Sequence, residues 1–393
     1  MRKKRFGIPG LLVAILATFL LTLGAVALSA WLIIGPQGLT LLEGLGVVNL
    51  WFVGDYDEEE AVDGAMSGMV SALGDRWSHY LDPEGYEAQN LRRSNAYVGI
   101  AVTVSYADER GLRIEAVESG GAAAEAGLAA GEIITAVDGV SLAGEGRYEG
   151  ADLIQGEEGT TLTLEILGTD GQSRTVTLER RKIETQPVSY EMLEGNVGYI
   201  RLSNFYDRSA QQQCAAVDDL VEQGAEGLVF DLRSNGGGYL SELTEMLDHL
   251  LPEGPIFRSQ DRSGKETVTY SDESCVELPM AVLVNADTYS AAEFFAAELQ
   301  EQGVGVIVGE PTSGKGYSQQ TFLLPNGGAL SISTAKYFTG NGVSLIGTGL
   351  TLDREISLSE EDAALLAADA LEHNEDEQLL AALELLSQAA EGQ

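Results

Sequence analysis

Basic residues are scarce in this sequence. Against 61 Asp and Glu it carries 23 Lys and Arg, a formal net charge of −38 at pH 7. A nucleic-acid binder needs a basic surface to displace counterions from phosphates, so that class is excluded. The acidic excess reads as solubility and as repulsion from other acidic surfaces. Histidine is scarcer still, with only His79, His249 and His373, and none is paired at metal-ligand spacing. No metal site and no cofactor is expected, and histidine-based catalysis has few candidates. Cysteine is limited to Cys214 and Cys275, whose spacing matches no zinc pattern. They form one disulfide if they face each other outside the cytoplasm, or stand as two unpaired small core residues.

What is present begins at the N-terminus. Met1-Arg2-Lys3-Lys4-Arg5 precedes an uncharged run from Phe6 through Leu42. A membrane helix needs about 20 apolar residues. The pattern therefore predicts a cytoplasmic basic tail at 1–10 and a transmembrane anchor at 11–34. The acidic segment from Asp55 to Glu60 puts the remainder outside, giving a single-pass cell-membrane protein with an extracytoplasmic body. A cleavable signal peptide is the alternative, with Ala25-Val26-Ala27 as its site. The apolar run continues to Trp31-Leu32-Ile33-Ile34, which favours an uncleaved anchor.

The 393 residues exceed one ordinary domain, and 47 glycines imply many turns. Residues 55–94 form an N-terminal helical segment, with Ala61, Val62, Ala65, Met66, Met69, Val70 and Leu73 on one face. Leu73 to Pro83 is a turn, and its His79 reads as packing or surface. From Tyr97 the period becomes strand-like: Tyr97 to Ser105, Leu112 to Val117, Thr160 to Leu167 and Ser173 to Arg180. Short helices are expected at Gly120 to Gly127 and Tyr148 to Ile154. From Val188 the chain alternates, as βαβ units around a buried sheet do. Strands are expected at Val197 to Leu202, Gly227 to Asp231, Met280 to Val284 and Val304 to Val308. Helices are expected at Asp207 to Gln223, Tyr239 to Leu251 and Ala291 to Gln302. The acidic tail 359–393 reads as an amphipathic helix packing on the protein or a partner.

Two segments carry chemistry. In Val284-Asn285-Ala286-Asp287-Thr288-Tyr289-Ser290-Ala291-Ala292-Glu293 a buried strand ends and a helix opens at Ser290. Sites of α/β sheets gather at such strand ends. The Ala291 N–H lies among the unpaired donors of the first helical turn and can face an oxyanion. On these residues alone, Ser290 reads better as a plain N-cap. In Gly309-Glu310-Pro311-Thr312-Ser313-Gly314-Lys315-Gly316 a lysine sits between glycines, unshielded enough to enter a cavity. To act as a base it must be neutral, and burial must lower its pKa from about 10.4.

Taken together these segments resemble the C-terminal processing peptidases. That family places a serine, within Ser-Ala-x-Glu, 25 positions before a Gly-Lys-Gly lysine, as Ser290 and Lys315 are placed here. The resemblance implies that Gln319, four positions after the lysine, orients it. Phe230-Asp231-Leu232-Arg233-Ser234-Asn235-Gly236-Gly237-Gly238 resembles the family's oxyanion loop, with Gly236 where proline is usual. The resemblance assigns the oxyanion donors to Gly237, or less directly Gly236, and to Ala291.

Residues 95–183 resemble a PDZ domain, most specifically in Gly127-Leu128, Gly131-Glu132-Ile133-Ile134 and Val137-Asp138-Gly139. Such domains add a peptide to a sheet edge and hold its terminal carboxylate in backbone N–H groups. By position, Tyr97, Val98, Gly99 and Ile100 would supply them.

The expected architecture is therefore an α/β protease core at 184–358 with an inserted, β-rich PDZ domain. The N-terminal helical segment and a transmembrane helix precede them. The expected function is a serine endopeptidase that recognises protein or peptide C-termini and uses a Ser/Lys mechanism. Homo-oligomerisation is left open. The alternatives are a catalytically inactive PDZ-bearing envelope scaffold, and a hydrolase using His249 as base with Asp231 orienting it.

Overall fold

The computed structural model describes residues 8–391. The chain divides into two units, residues 1–66 and 67–393.

In the first unit the apolar run forms a helix, Ile8–Trp51, broken at Gly35 (φ 66°, ψ 176°) with Pro36 following. Among the described residues no helix is long and apolar enough to cross a membrane. This corrects the transmembrane anchor expected at 11–34. Counting apolar residues gives composition only, whereas a glycine at positive φ followed by proline interrupts helical geometry. Most of the basic tail expected at 1–10, residues 1–7, lies outside the described residues.

In the second unit a six-stranded sheet forms the centre. Its order is Val188–Leu193, Val197–Leu202, Gly227–Asp231, Met280–Val284, Gly305–Gly309 and Arg354–Glu355. The first pairing is antiparallel and the others are parallel. The two central strands, Gly227–Asp231 and Met280–Val284, are buried along their whole length, which is why they read as continuous apolar runs. Helices Ser209–Glu222, Leu240–Leu250 and Ala291–Glu301 contribute to the core on one face, around Phe205, Phe230, Phe294 and Phe295. The C-terminal helix Glu377–Glu391 packs Leu379, Ala382 and Leu386 with Val229, Ala281 and Leu283 on the other. The tail therefore packs on the protein itself.

That helix is also pinned by charge. Arg233 pairs with Asp231 at 2.5 Å and Asp376 at 2.7 Å, all three side chains being almost wholly buried. Tyr199 donates to Asp231 at 2.6 Å. Asp231 is thus part of a structural ion-pair network, while His249 Nε2 lies 3.0 Å from Asp218. The pairing of His249 with Asp231 as base and orienter does not form.

A second sheet places His79–Leu81, Ala329–Phe338, Gly254–Asp261 and Glu266–Ser271 side by side, with Tyr317–Leu323 also paired to Ala329–Phe338. Beyond Gly99, a further sheet runs Val102–Ser105, Leu112–Val117, Ile133–Val137, Thr161–Leu167 and Ser173–Glu179, around its own core of Ile100, Leu112, Ile134, Leu164 and Ile166. Cys214 and Cys275 are both free.

Candidate active site

Ser290 stands between the strand Met280–Val284 and the helix Ala291–Glu301. Its backbone has φ 62° and ψ −128°, a conformation side-chain-bearing residues seldom adopt. Tertiary bonds hold it there. Thr288 Oγ1 donates to Leu232 O at 2.8 Å, and Tyr289 N donates to Asn235 O at 3.1 Å. Ser234 N donates to Asn285 Oδ1 at 2.8 Å. The serine loop and the glycine loop are therefore one stitched unit.

Glu293, fully buried, joins this unit to the lysine loop. Its carboxylate accepts from Ser290 N at 3.1 Å, Lys315 N at 3.0 Å, Gly314 N at 2.7 Å and Thr312 Oγ1 at 2.6 Å. A single side chain, one turn into the helix, fixes the backbone on both sides of the proposed chemistry.

Ser290, Ala291, Lys315 and Gln319 all open on one cleft of about 380 Å³. Within it the Ser290 hydroxyl lies 3.0 Å from Tyr337 Oη. The Lys315 ammonium lies over two rings, 4.7 Å from the Trp77 centroid and 5.7 Å from that of Tyr289. Desolvation, with some help from Arg93, pushes the Lys315 amine down to about 8. Burial raises the Tyr337 phenol well above its usual value, so its hydroxyl keeps its proton.

Gln319 donates from its amide nitrogen to Tyr317 O at 2.9 Å and Ser333 Oγ at 3.0 Å. Gln319 lines the cleft together with Lys315 and the two rings. Nothing local in the sequence marks Trp77, Tyr289 or Tyr337, although Glu293 is visible within Ser-Ala-x-Glu.

The glycine loop approaches the serine closely. A Cβ on Gly237 (φ 80°) would stand 2.7 Å from Ala291 N and 2.9 Å from Ser290 Cβ. Its own N–H, however, donates to Asn235 Oδ1 at 2.8 Å. Gly236 lines the cleft. A Cβ there would stand 2.5 Å from Tyr289 Oη, so the phenol occupies the space a proline ring would need.

Tyr97, Val98 and Gly99 lie on a strand, Ala96–Gly99, paired with Arg181–Glu184. Ile100 is buried in the core of the small sheet, and its carbonyl accepts from Ala123 N. These residues are thus apart from the cleft. Val102–Ser105, which follows, is an end strand of its sheet.

The sequence matches the model of peptidase family S41 over residues 196–356 and a PDZ domain over 113–168. The carboxyl-terminal-processing protease of Synechocystis is 32% identical over 330 residues, 82% of this chain and 76% of that one.

The chain belongs to peptidase family S41.

A second relative, the carboxy-terminal processing protease CtpA of Bacillus subtilis, is 32% identical over 288 residues, 73% of this chain. The chain spans 62% of that relative's length. A solved structure of a Bacteroides fragilis protein assigned to the S41 proteases aligns over 88% of this chain and 97% of its own. Its TM-score is 0.57 at 20% identity, so it speaks for the S41 fold alone.

Proposed function

We propose that this chain is a serine endopeptidase of the C-terminal processing type, with Ser290 as nucleophile and Lys315 as base. One observation carries the reading: a strained serine and a half-buried lysine, its amine down at about 8, open on the same cleft and share the Glu293 tether. Tyr337 is unsuited to be the base, because its phenol holds its proton.

The neutral Lys315 amine turns from the rings to take the Ser290 proton as Oγ bonds to the scissile carbonyl carbon. The N–H groups of Ala291 and Gly236 receive the developing oxyanion, since that of Gly237 is already given to Asn235. Gln319 lines the same wall from the second sheet and limits where the lysine can turn. The Lys315 ammonium then protonates the departing amine. Water, deprotonated by the same lysine, hydrolyses the acyl-enzyme.

The PDZ domain would deliver protein or peptide C-termini. The open edge of Val102–Ser105 suits an added strand, and the Tyr97-to-Ile100 segment leads directly into it. Strand addition gives affinity through backbone hydrogen bonds and asks little of the substrate's sequence.

The test compares wild type, Ser290→Ala and Lys315→Met on an unfolded protein ending in apolar residues, with circular dichroism as the folding control. Both variants should lose cleavage while remaining folded. Cleavage surviving in Ser290→Ala overturns the mechanism. Wild type inert under all conditions would favour the scaffold alternative.

A further inference from the structure

The helix Pro83–Arg93 presents Gln89 and Arg93 to the cleft. Four residues apart, they share one helix face. Each lacks a partner of a definite kind. The Gln89 Oε1 is buried with no hydrogen-bond donor among the described residues. Arg93 is half-buried, with its guanidinium 6.0 Å from the Tyr239 ring centroid and no carboxylate in ion-pair range among the described residues.

Nine other described arginines of this acidic chain are ion-paired, while Arg92, Arg147, Arg180 and Arg262 are not. Arg110, Arg174 and Arg233 each hold a carboxylate, as its composition would lead one to expect. Among the described residues the cleft supplies no such partner. Its described lining includes Arg76, Arg93 and Lys315 but no Asp or Glu. Lys315 must be uncharged to act as a base, and Arg76 lies over Trp77 at 4.2 Å. Arg93 is therefore the cation best placed to receive an anion. A guanidinium binds a carboxylate through two parallel hydrogen bonds.

An acceptor short of a donor beside a cation short of an anion complements one chemical unit: a peptide residue offering an N–H and a carboxylate. We infer that Gln89 and Arg93 form a substrate subsite, in which Gln89 accepts a peptide N–H and Arg93 binds the carboxylate of that residue. The carboxylate is either an acidic side chain or the chain terminus. The inference rests on the peptidase reading of the cleft.

Binding is measured by fluorescence anisotropy in the Ser290→Ala protein, which separates it from turnover. Short labelled peptides of one apolar-ended sequence carry an Asp or Asn moved along the chain, each with a free or amidated terminus. The carboxylate form should bind about tenfold or more tightly than its neutral counterpart in one arm. Arg93→Gln in the same background should erase that preference. Arg93→Lys, which keeps the charge but not the fork, should reduce it several-fold and serves if Arg93→Gln fails to fold. Gln89→Leu should weaken all peptides alike, because every one carries the backbone N–H.

Loss of the preference in the Asp/Asn arm identifies a side chain, and loss in the acid/amide arm identifies the terminus. Preferences in both arms that survive Arg93 substitution overturn the subsite and assign carboxylate recognition to the PDZ domain. Wild-type cleavage is scored separately. Absent cleavage with an Arg93-dependent preference removes the peptidase reading and leaves the subsite; cleavage without such a preference removes only the subsite.

Discussion

The hydroxyl of Ser290 meets the hydroxyl of Tyr337 at 3.0 Å, while the Lys315 amine rests over Trp77. The serine is thus held by a group that cannot deprotonate it. The proposed base stands in the same cleft.

Tyr337→Phe separates holding from catalysis. Removing the phenol frees the serine hydroxyl without removing a base. The variant should keep cleavage within about tenfold of wild type, with an unchanged pH profile, because a single neutral hydrogen bond is worth about 1 kcal/mol net. Loss comparable to that of Ser290→Ala would make Tyr337 the proton acceptor and displace Lys315.

The pH profile follows from Lys315. Its amine is lowered to about 8 by desolvation, with Arg93 and Arg76 reinforcing the shift and Asp75 and Glu293 opposing it. The rate constant kcat/KM should rise about tenfold per pH unit below 8 and level off above about 9. Stopped assays from mildly acid to alkaline pH, with the fold monitored in parallel, give the curve. A flat profile would count against a lysine base.

Lys315→Met should be inactive and more stable than wild type. From about 8 up to the unfolded value of 10.5 the unfolded chain holds a proton that the folded one has released. Wild-type stability therefore rises with pH across that window, and below it the half-buried ammonium costs roughly 1–3 kcal/mol. Denaturant unfolding at pH 7 should show the gain, and at pH 10.5 it should nearly vanish.

Glu293→Gln keeps the size of the tether and loses its charge. Four donors converge on the carboxylate, and an amide offers one acceptor where two stood. We expect kcat to fall about 10²-fold with KM little changed, since misplacement rather than binding is at fault. Unfolding free energy should drop by about 2–3 kcal/mol. A KM effect alone would mean that Glu293 shapes substrate contacts instead.

Glu298 lies on the same helix, fully buried, and accepts from Gly340 N at 2.6 Å through Oε1. Its Oε2 has no partner among the described residues. Desolvation, with the like charge of Glu301, pushes it up to about 8. Between the unfolded value of 4.5 and about 8 the folded chain keeps a proton that the unfolded chain releases. Stability therefore falls as pH rises through that window. Glu298→Gln should remove this slope and gain roughly 2–4 kcal/mol by pH 9. Thermal melts of both proteins from pH 5 to 9 show the divergence; parallel curves would refute it.

Much of this was legible in the sequence, for identifiable reasons. Gly227–Asp231 and Met280–Val284 are buried on both faces, so their residues announce a central strand by composition alone. Ser290 and Lys315 sit at the punctuation between such strands and the next helix or loop. The second sheet was not legible. Tyr317–Leu323 and Ala329–Phe338 mix polar and apolar residues with much partial burial, which blurs the alternation that marks a strand. With them went Tyr337, and the surroundings of Gln319. Trp77 reaches Lys315 from a turn far away in the chain, a contact that no local pattern encodes. The glycine loop is legible, but not that Asn235 takes the Gly237 N–H.

The contrast between the cleft and the rest of the chain has a kinetic consequence. At a distance, the −38 of the whole protein repels any acidic substrate, and added electrolyte screens that repulsion. Within a few ångströms, the Arg93 side of the cleft attracts, and the same electrolyte weakens the attraction. Encounter and residence should thus respond to ionic strength with opposite sign. The protein would turn away polyanions as they diffuse in while retaining a flexible segment that carries a single negative charge to the right place.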